Sequence, residues 1–163
     1  ENKILKNRES FFAKLPLPKF LRNSFAPSED GKEWRTREAR GTTYNYSSDP
    51  KRAAVNDYWM RNTPALRAGT MTWNWIREGC RAFVDTLRPQ YLDEIKRPVL
   101  IFSAKKDHMV NNKNTFTVAE HLKAEHYNFE TGKHELLMET DDIRIPLLEK
   151  TFDFIRKHSG PSL

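Results

Sequence analysis

A single cysteine among 163 residues, Cys80, excludes an internal disulfide framework. The lone thiol favours a reducing, cytoplasmic compartment, and its place in a helical apolar stripe makes it a small core residue rather than a reactive one. No run approaches the roughly 20 apolar residues of a membrane span, and no signal-peptide pattern opens the chain. The five histidines lack metal-ligand spacing: His134-Glu135 has no second histidine to complete His-Glu-x-x-His, and no Cys/His or carboxylate cluster forms. No metal or other cofactor is therefore expected. Nucleic acid is not expected either, because no helix-turn-helix, zinc-finger or basic-aromatic strand pattern occurs. There are only six glycines, and none begins Gly-x-Ser-x-Gly, the tight strand-to-helix turn that exposes a serine nucleophile. An initiator methionine is missing too. Starting at Glu1 in a polar, helix-like segment, the chain reads as the middle of a longer polypeptide or as a trimmed product.

What is present permits a core. Hydrophobic residues make up 37% and aromatics 12%, against 31% charged, so wholesale disorder is not indicated. The net charge of +6 is uneven: residues 1–97 carry 19 Lys/Arg against 12 Asp/Glu, and residues 98–163 carry 9 against 10. Such asymmetry suits an anionic partner, for instance a phospholipid surface on the inner face of a membrane, and suits a merely solvated basic face equally well.

Along the first 50 residues, Leu-Pro-Leu-Pro, Ala-Pro-Ser-Glu-Asp-Gly and Ser-Ser-Asp-Pro are turn punctuation, with a short helix expected at about 2–13. Asp49-Pro50 is an N-cap followed by a first-turn proline, opening a helix to about Arg61. Ile76, Cys80, Phe83, Val84 and Leu87 then share one face of a helix over about 72–87. After Arg97-Pro98 the pattern changes: Val99–Phe102 is a short apolar run typical of a parallel strand buried on both faces. A helix from the Asn111 region to about Lys123 and a second strand at about 125–130 complete a βαβ unit. Asp142 is expected to cap a last helix with Pro146 in its first turn and Leu148, Phe152 and Ile155 buried.

Two residues stand out for chemistry. In a parallel α/β sheet, functional side chains collect beyond the carboxyl ends of the strands. Asp107 follows the first strand and His134 the second, so both belong to one sheet edge, within reach of a carboxylate–imidazole hydrogen bond. From spacing alone, Asp107 capping a turn and His134 sitting in a solvated loop remain open readings. His108, beside the acid, is a rival base whose side chain should point away from Asp107's partner.

Pro98-Val-Leu-Ile-Phe-Ser-Ala-Lys-Lys-Asp107-His-Met-Val110 resembles the acid-bearing strand and turn of the α/β-hydrolase superfamily. Gly132-Lys-His134-Glu-Leu136-Leu-Met-Glu139 is similar to the histidine loop of its bacterial lysophospholipase and monoacylglycerol-lipase branch. Gly69-Thr-Met-Thr-Trp73-Asn-Trp75-Ile-Arg-Glu-Gly79 and Phe154-Ile-Arg-Lys-His158 resemble the same branch. Ala104 departs from the usual glycine. The resemblance implies an α/β fold in which residues 91–163 are the C-terminal part of the hydrolase core, a βαβ unit plus a helix, and residues 1–90 a mainly helical cap. It implies a serine carboxylic-ester hydrolase acting on a lysophospholipid or monoacylglycerol, with Asp107 and His134 catalytic and the serine upstream of Glu1. Tyr58, Trp73 and Trp75 of the cap, with Met109 beside the acid, are the expected substrate contacts. Another α/β-hydrolase, such as a peptidase or epoxide hydrolase, and a non-catalytic anionic-lipid-binding module are the alternatives. Two parallel strands leave an unpaired edge, so the missing N-terminal half or a self-associated copy is the expected partner.

Overall fold

Leu100–Ala104 form strand β1 and Glu125–Phe129 form β2, in the computed structural model that describes residues 11, 13, 14, 16–24, 46–66 and 71–160. The two strands are parallel neighbours, with Leu100 opposite Glu125 and Ala104 opposite Phe129. β1 extends beyond the expected Phe102 because backbone pairing continues: Lys105 N donates to Phe129 O at 2.9 Å. Phe102 stacks on Tyr127 with ring centroids 6.0 Å apart, a cross-strand pair of the kind that stabilises a sheet face.

Helix α5, Asn112–Leu122, joins the strands. The Asn111 side chain accepts from Lys113 N at 3.1 Å, satisfying one of the donors that a helix start leaves free. Ala119 is buried on this helix. The chain leaves through Lys123 in the left-handed region, φ 50°, whose N–H reaches back to the carbonyls of Ala119 and Glu120.

The last helix, α6, runs Asp141–His158 after an N-cap at Thr140. Pro146 lies in its second turn rather than its first, so the carbonyl four residues earlier loses its usual amide donor. Its buried face also differs from expectation. Ile143 and Leu147 are buried, one turn apart, whereas Phe152 and Ile155 are exposed. At 100° per residue, Ile143, Leu147, Lys150 and Phe154 share one side, and Lys150 Nζ sits 3.9 Å over the Tyr127 ring. Phe152 projects from the opposite side.

Among the described residues the chain divides into two compact units, one within Glu1–Glu38 and Thr63–Glu94, the other within Ala39–Asn62 and Ile95–Leu163. Residues 46–62, which the expected division places in the cap, belong to the second unit with both strands. They carry helix α2, Pro50–Asn62, whose capping residue Asp49 accepts from Lys51 N at 2.9 Å and Arg52 N at 3.1 Å through Oδ1. The first unit is helical where described: Lys19–Arg22 (α1), Trp73–Thr86 (α3) and Pro89–Leu92 (α4), with Leu17 and Leu92 buried. Thr72 caps α3 by accepting from Trp75 N, and Trp73 N donates to Ser24 O. Ile76, Cys80, Phe83, Val84 and Leu87 are half-buried along it, as their spacing predicts. The helix expected at about 2–13 lies, apart from residues 11 and 13, outside the described residues.

Candidate active site

The loops leaving β1 and β2 are tied together by their backbones. Lys106 N donates to Gly132 O at 3.0 Å, and Asp107 N closes a turn on Ala104 O at 3.1 Å. Gly132 is buried there for want of room: a Cβ would stand 2.7 Å from Leu136 Cδ2 and 3.2 Å from Phe129 Cβ. This close approach of two loops sets Asp107 beside His134.

Both oxygens of Asp107 are occupied. Oδ1 accepts from Met109 N at 2.7 Å and Val110 N at 3.1 Å, which fixes the carboxylate in its own turn. Oδ2 lies 2.8 Å from His134 Nδ1. The acid is nearly inaccessible, its side chain 5% exposed, while the imidazole is 33% exposed. Burial is the largest single influence on Asp107 and pushes its pKa upward. The hydrogen bond from His134 and those from Met109 N and Val110 N together outweigh it, so the pKa falls below the ordinary value. An ionised Asp107 can only accept, which places a proton on His134 Nδ1. In the neutral ring, Nε2 is then the lone-pair nitrogen, the form a general base requires.

Beside this pair lies a cavity of about 190 Å³. Phe102, Ala104, Val110 and Leu136 give it apolar wall, and Asn112 and Thr115 give it polar atoms. Asn112 Nδ2 donates to Ala104 O at 2.8 Å, while its Oδ1 is buried without a partner among the described residues.

The other expected site residues lie on the loop after β1, on α2 and on α3. Met109 gives its N–H to the acid, but its side chain is exposed, and Val110 rather than Met109 lines the cavity. Tyr58 is exposed on α2, and Trp75 is exposed and Trp73 half-buried on α3 of the other unit. His108 is exposed. His126 is engaged with Ser103 Oγ at 2.8 Å, and His158 approaches Glu125 at 3.7 Å. Among the described residues no group of three or more His, Cys, Asp or Glu could hold a metal ion, and no helix is long and apolar enough to cross a membrane. Sequence reasoning missed Tyr46, whose ring centroid is 6.0 Å from that of His134, and the buried Glu139. Glu139 closes the same motif that carries His134, and its burial was the one property its residue type concealed.

A parallel βαβ unit followed by a helix, with an acid after one strand bonded to a histidine after the next, defines part of an α/β-hydrolase fold. The family described as serine aminopeptidase, S33, matches residues 16–141, and the chain belongs to that family. It is 32% identical over 110 residues to a probable lysophospholipase L2 of Haemophilus influenzae, covering 62% of this chain and 33% of that protein. To lysophospholipase L2 of Escherichia coli K12 it is 29% identical over 107 residues, 61% of this chain and 31% of the relative. The chain thus spans about a third of the length of these relatives. A soluble variant of monoglyceride lipase from Saccharomyces cerevisiae, solved with a substrate analogue, superposes with a TM-score of 0.55. That match has 15% identity and covers 96% of this chain and 50% of the lipase, a likeness of fold.

Proposed function

We propose that this chain contributes the acid and the base of a Ser-His-Asp triad in a carboxylic-ester hydrolase acting on lysophospholipid or monoacylglycerol. The observation that carries the reading is the 2.8 Å contact between His134 Nδ1 and Asp107 Oδ2. With the proton held on Nδ1, His134 Nε2 takes the proton of a serine hydroxyl as the oxygen attacks the ester carbonyl. The imidazolium then returns that proton to the departing alkoxide, and Asp107 stabilises its charge throughout. The serine is a residue this chain does not supply in a Gly-x-Ser-x-Gly turn. The names of the lysophospholipase relatives support the substrate class. Tyr58, Trp73, Trp75 and Met109 are assigned to the acyl chain, within a cap formed by the N-terminal part, and the basic excess of residues 1–97 to an anionic membrane surface.

The test is Asp107→Asn in the full gene product, assayed on lysophospholipid and monoacylglycerol. Neutralising the orienting aspartate of a serine protease lowers turnover by about 10⁴, and a comparable loss is expected here. Near-normal ester hydrolysis by the variant would refute the assignment. A second reading, amide hydrolysis at a peptide N-terminus, is favoured by the description of the matched family. It predicts cleavage of aminoacyl arylamides by the same protein, with lysophospholipid untouched.

A further inference from the structure

Glu139 is fully buried, 0% exposed, and its carboxylate is filled by backbone donors. Oε1 accepts from Lys133 N at 2.8 Å, and Oε2 from Ser48 N at 3.0 Å and Thr140 N at 3.3 Å. Around it residues 46–52 are clipped to the histidine loop. Ser47, 2% exposed, donates through Oγ to Met138 O at 2.6 Å, and Lys133 Nζ donates to Ser47 O at 3.3 Å. Arg52 donates to Glu139 O and reaches Asp141 Oδ1 at 2.5 Å. On the far side of the histidine, Glu135 N donates to Tyr46 O at 2.8 Å. The two residues flanking His134 are therefore both anchored: Lys133 to the Glu139 carboxylate, Glu135 to the Tyr46 carbonyl.

From this clasp we infer that Glu139 is the positioning residue of His134, acting through the backbone of the histidine loop. It holds the imidazole at hydrogen-bonding distance from Asp107 and keeps the Tyr46 ring beside it. The inference deepens, and rests on, the triad reading. Three converging N–H groups require an acceptor-only group of that reach. Carboxylate oxygens offer about four acceptor sites, whereas a glutamine would turn its NH₂ toward one of the donors and leave it unsatisfied inside the protein. A histidine held by one bond at Nδ1 and no fixed backbone would sample orientations in which Nε2 is misdirected, and loss of alignment of that size is costly in a proton-transfer site.

The test follows the Nδ1 proton of His134 by NMR in the intact chain, well below its unfolding midpoint. Glu139→Gln is expected to remove that resonance or to make its exchange with water about tenfold faster or more, the scale set by leaving one buried donor unpaired. Glu130→Gln, whose exposed carboxylate meets Lys105 and the Asn128 amide, is expected to leave it unchanged. A folded Glu139→Gln protein with wild-type exchange at this proton would overturn the inference and reduce Glu139 to a structural tie. Where Glu139→Gln does not fold, Glu139→Asp keeps the charge but shortens the reach to the three N–H donors by one methylene; faster exchange supports the inference and unchanged exchange overturns it. Because the proton reports geometry and not turnover, failure here is distinguishable from failure of the hydrolase reading, which the Asp107→Asn assay decides.

Discussion

Gly132→Ala probes the junction that brings the acid to the base. A methyl group added there meets Leu136 Cδ2 at 2.7 Å, Phe129 Cβ at 3.2 Å and Ala104 Cβ at 3.5 Å. Carbon atoms rest at about 3.5–4.0 Å, so Leu136 must retreat by about 1 Å. The Phe129 Cβ is fixed to β2 and can give only with its backbone. Leu136 also lines the cavity beside His134, and Gly132 O holds Lys106 N, so the displacement reaches both sides of the site. Overpacking of this kind costs about 1–3 kcal/mol. Urea unfolding of the chain should show the midpoint lowered with the slope unchanged. Leu136→Ala removes the nearest clashing atom, so in the double variant the two losses should combine to less than their sum, a coupling of about 1 kcal/mol. Strict additivity, or a Gly132→Ala midpoint equal to wild type, would refute the steric account.

Two further outcomes are expected. Asp107, Asp49 and Glu125 are all held below their ordinary pKa values: Asp107 by His134 and two amides against an opposing burial effect, Asp49 first by the Arg52 amide, and Glu125 first by Lys157. A depressed carboxylate stabilises the fold above its unfolded value, about 4, and that contribution is lost as pH falls through the lower folded value; urea midpoints should therefore drop as pH falls below about 4, and less steeply in Asp107→Asn. Asp49→Ala removes the acceptor shared by Lys51 N and Arg52 N at the start of α2 and should lower the thermal unfolding midpoint; Asp49→Ser should restore most of it.

What was legible in the sequence was local. The run after Arg97-Pro98, the asparagine at the start of α5 and the Asp49-Pro50 pair each declare an element within a few residues, and the two loops carrying Asp107 and His134 follow from strand direction alone. What was hidden depends on contacts distant along the chain. Which side of α6 faces the strands was misjudged because apolar residues lie on both sides of it, and Ile143 and Leu147 near its start, not Phe152 and Ile155, set its phase. Ser48 and Glu139 stand 91 residues apart, so no spacing rule joins 46–52 to the histidine loop. A carboxylate buried by backbone donors looks, in sequence, like any surface glutamate.

The described bonds that orient His134 all lie within residues 46–62 and 95–160. Asp107 cannot swing away without freeing Met109 N and Val110 N, and its other oxygen is then committed to Nδ1. The loop that carries the imidazole cannot drift from the acid while Lys106 N holds Gly132 O. All of these restraints except the Oδ2–Nδ1 bond itself use backbone groups, which have few alternative conformations to visit, so little additional ordering is required when a third group approaches Nε2. Under the proposed triad reading, a hydroxyl brought to that nitrogen meets a base whose tautomer and direction are already set, and the remaining contribution to the barrier lies in how that hydroxyl and the ester carbonyl are placed.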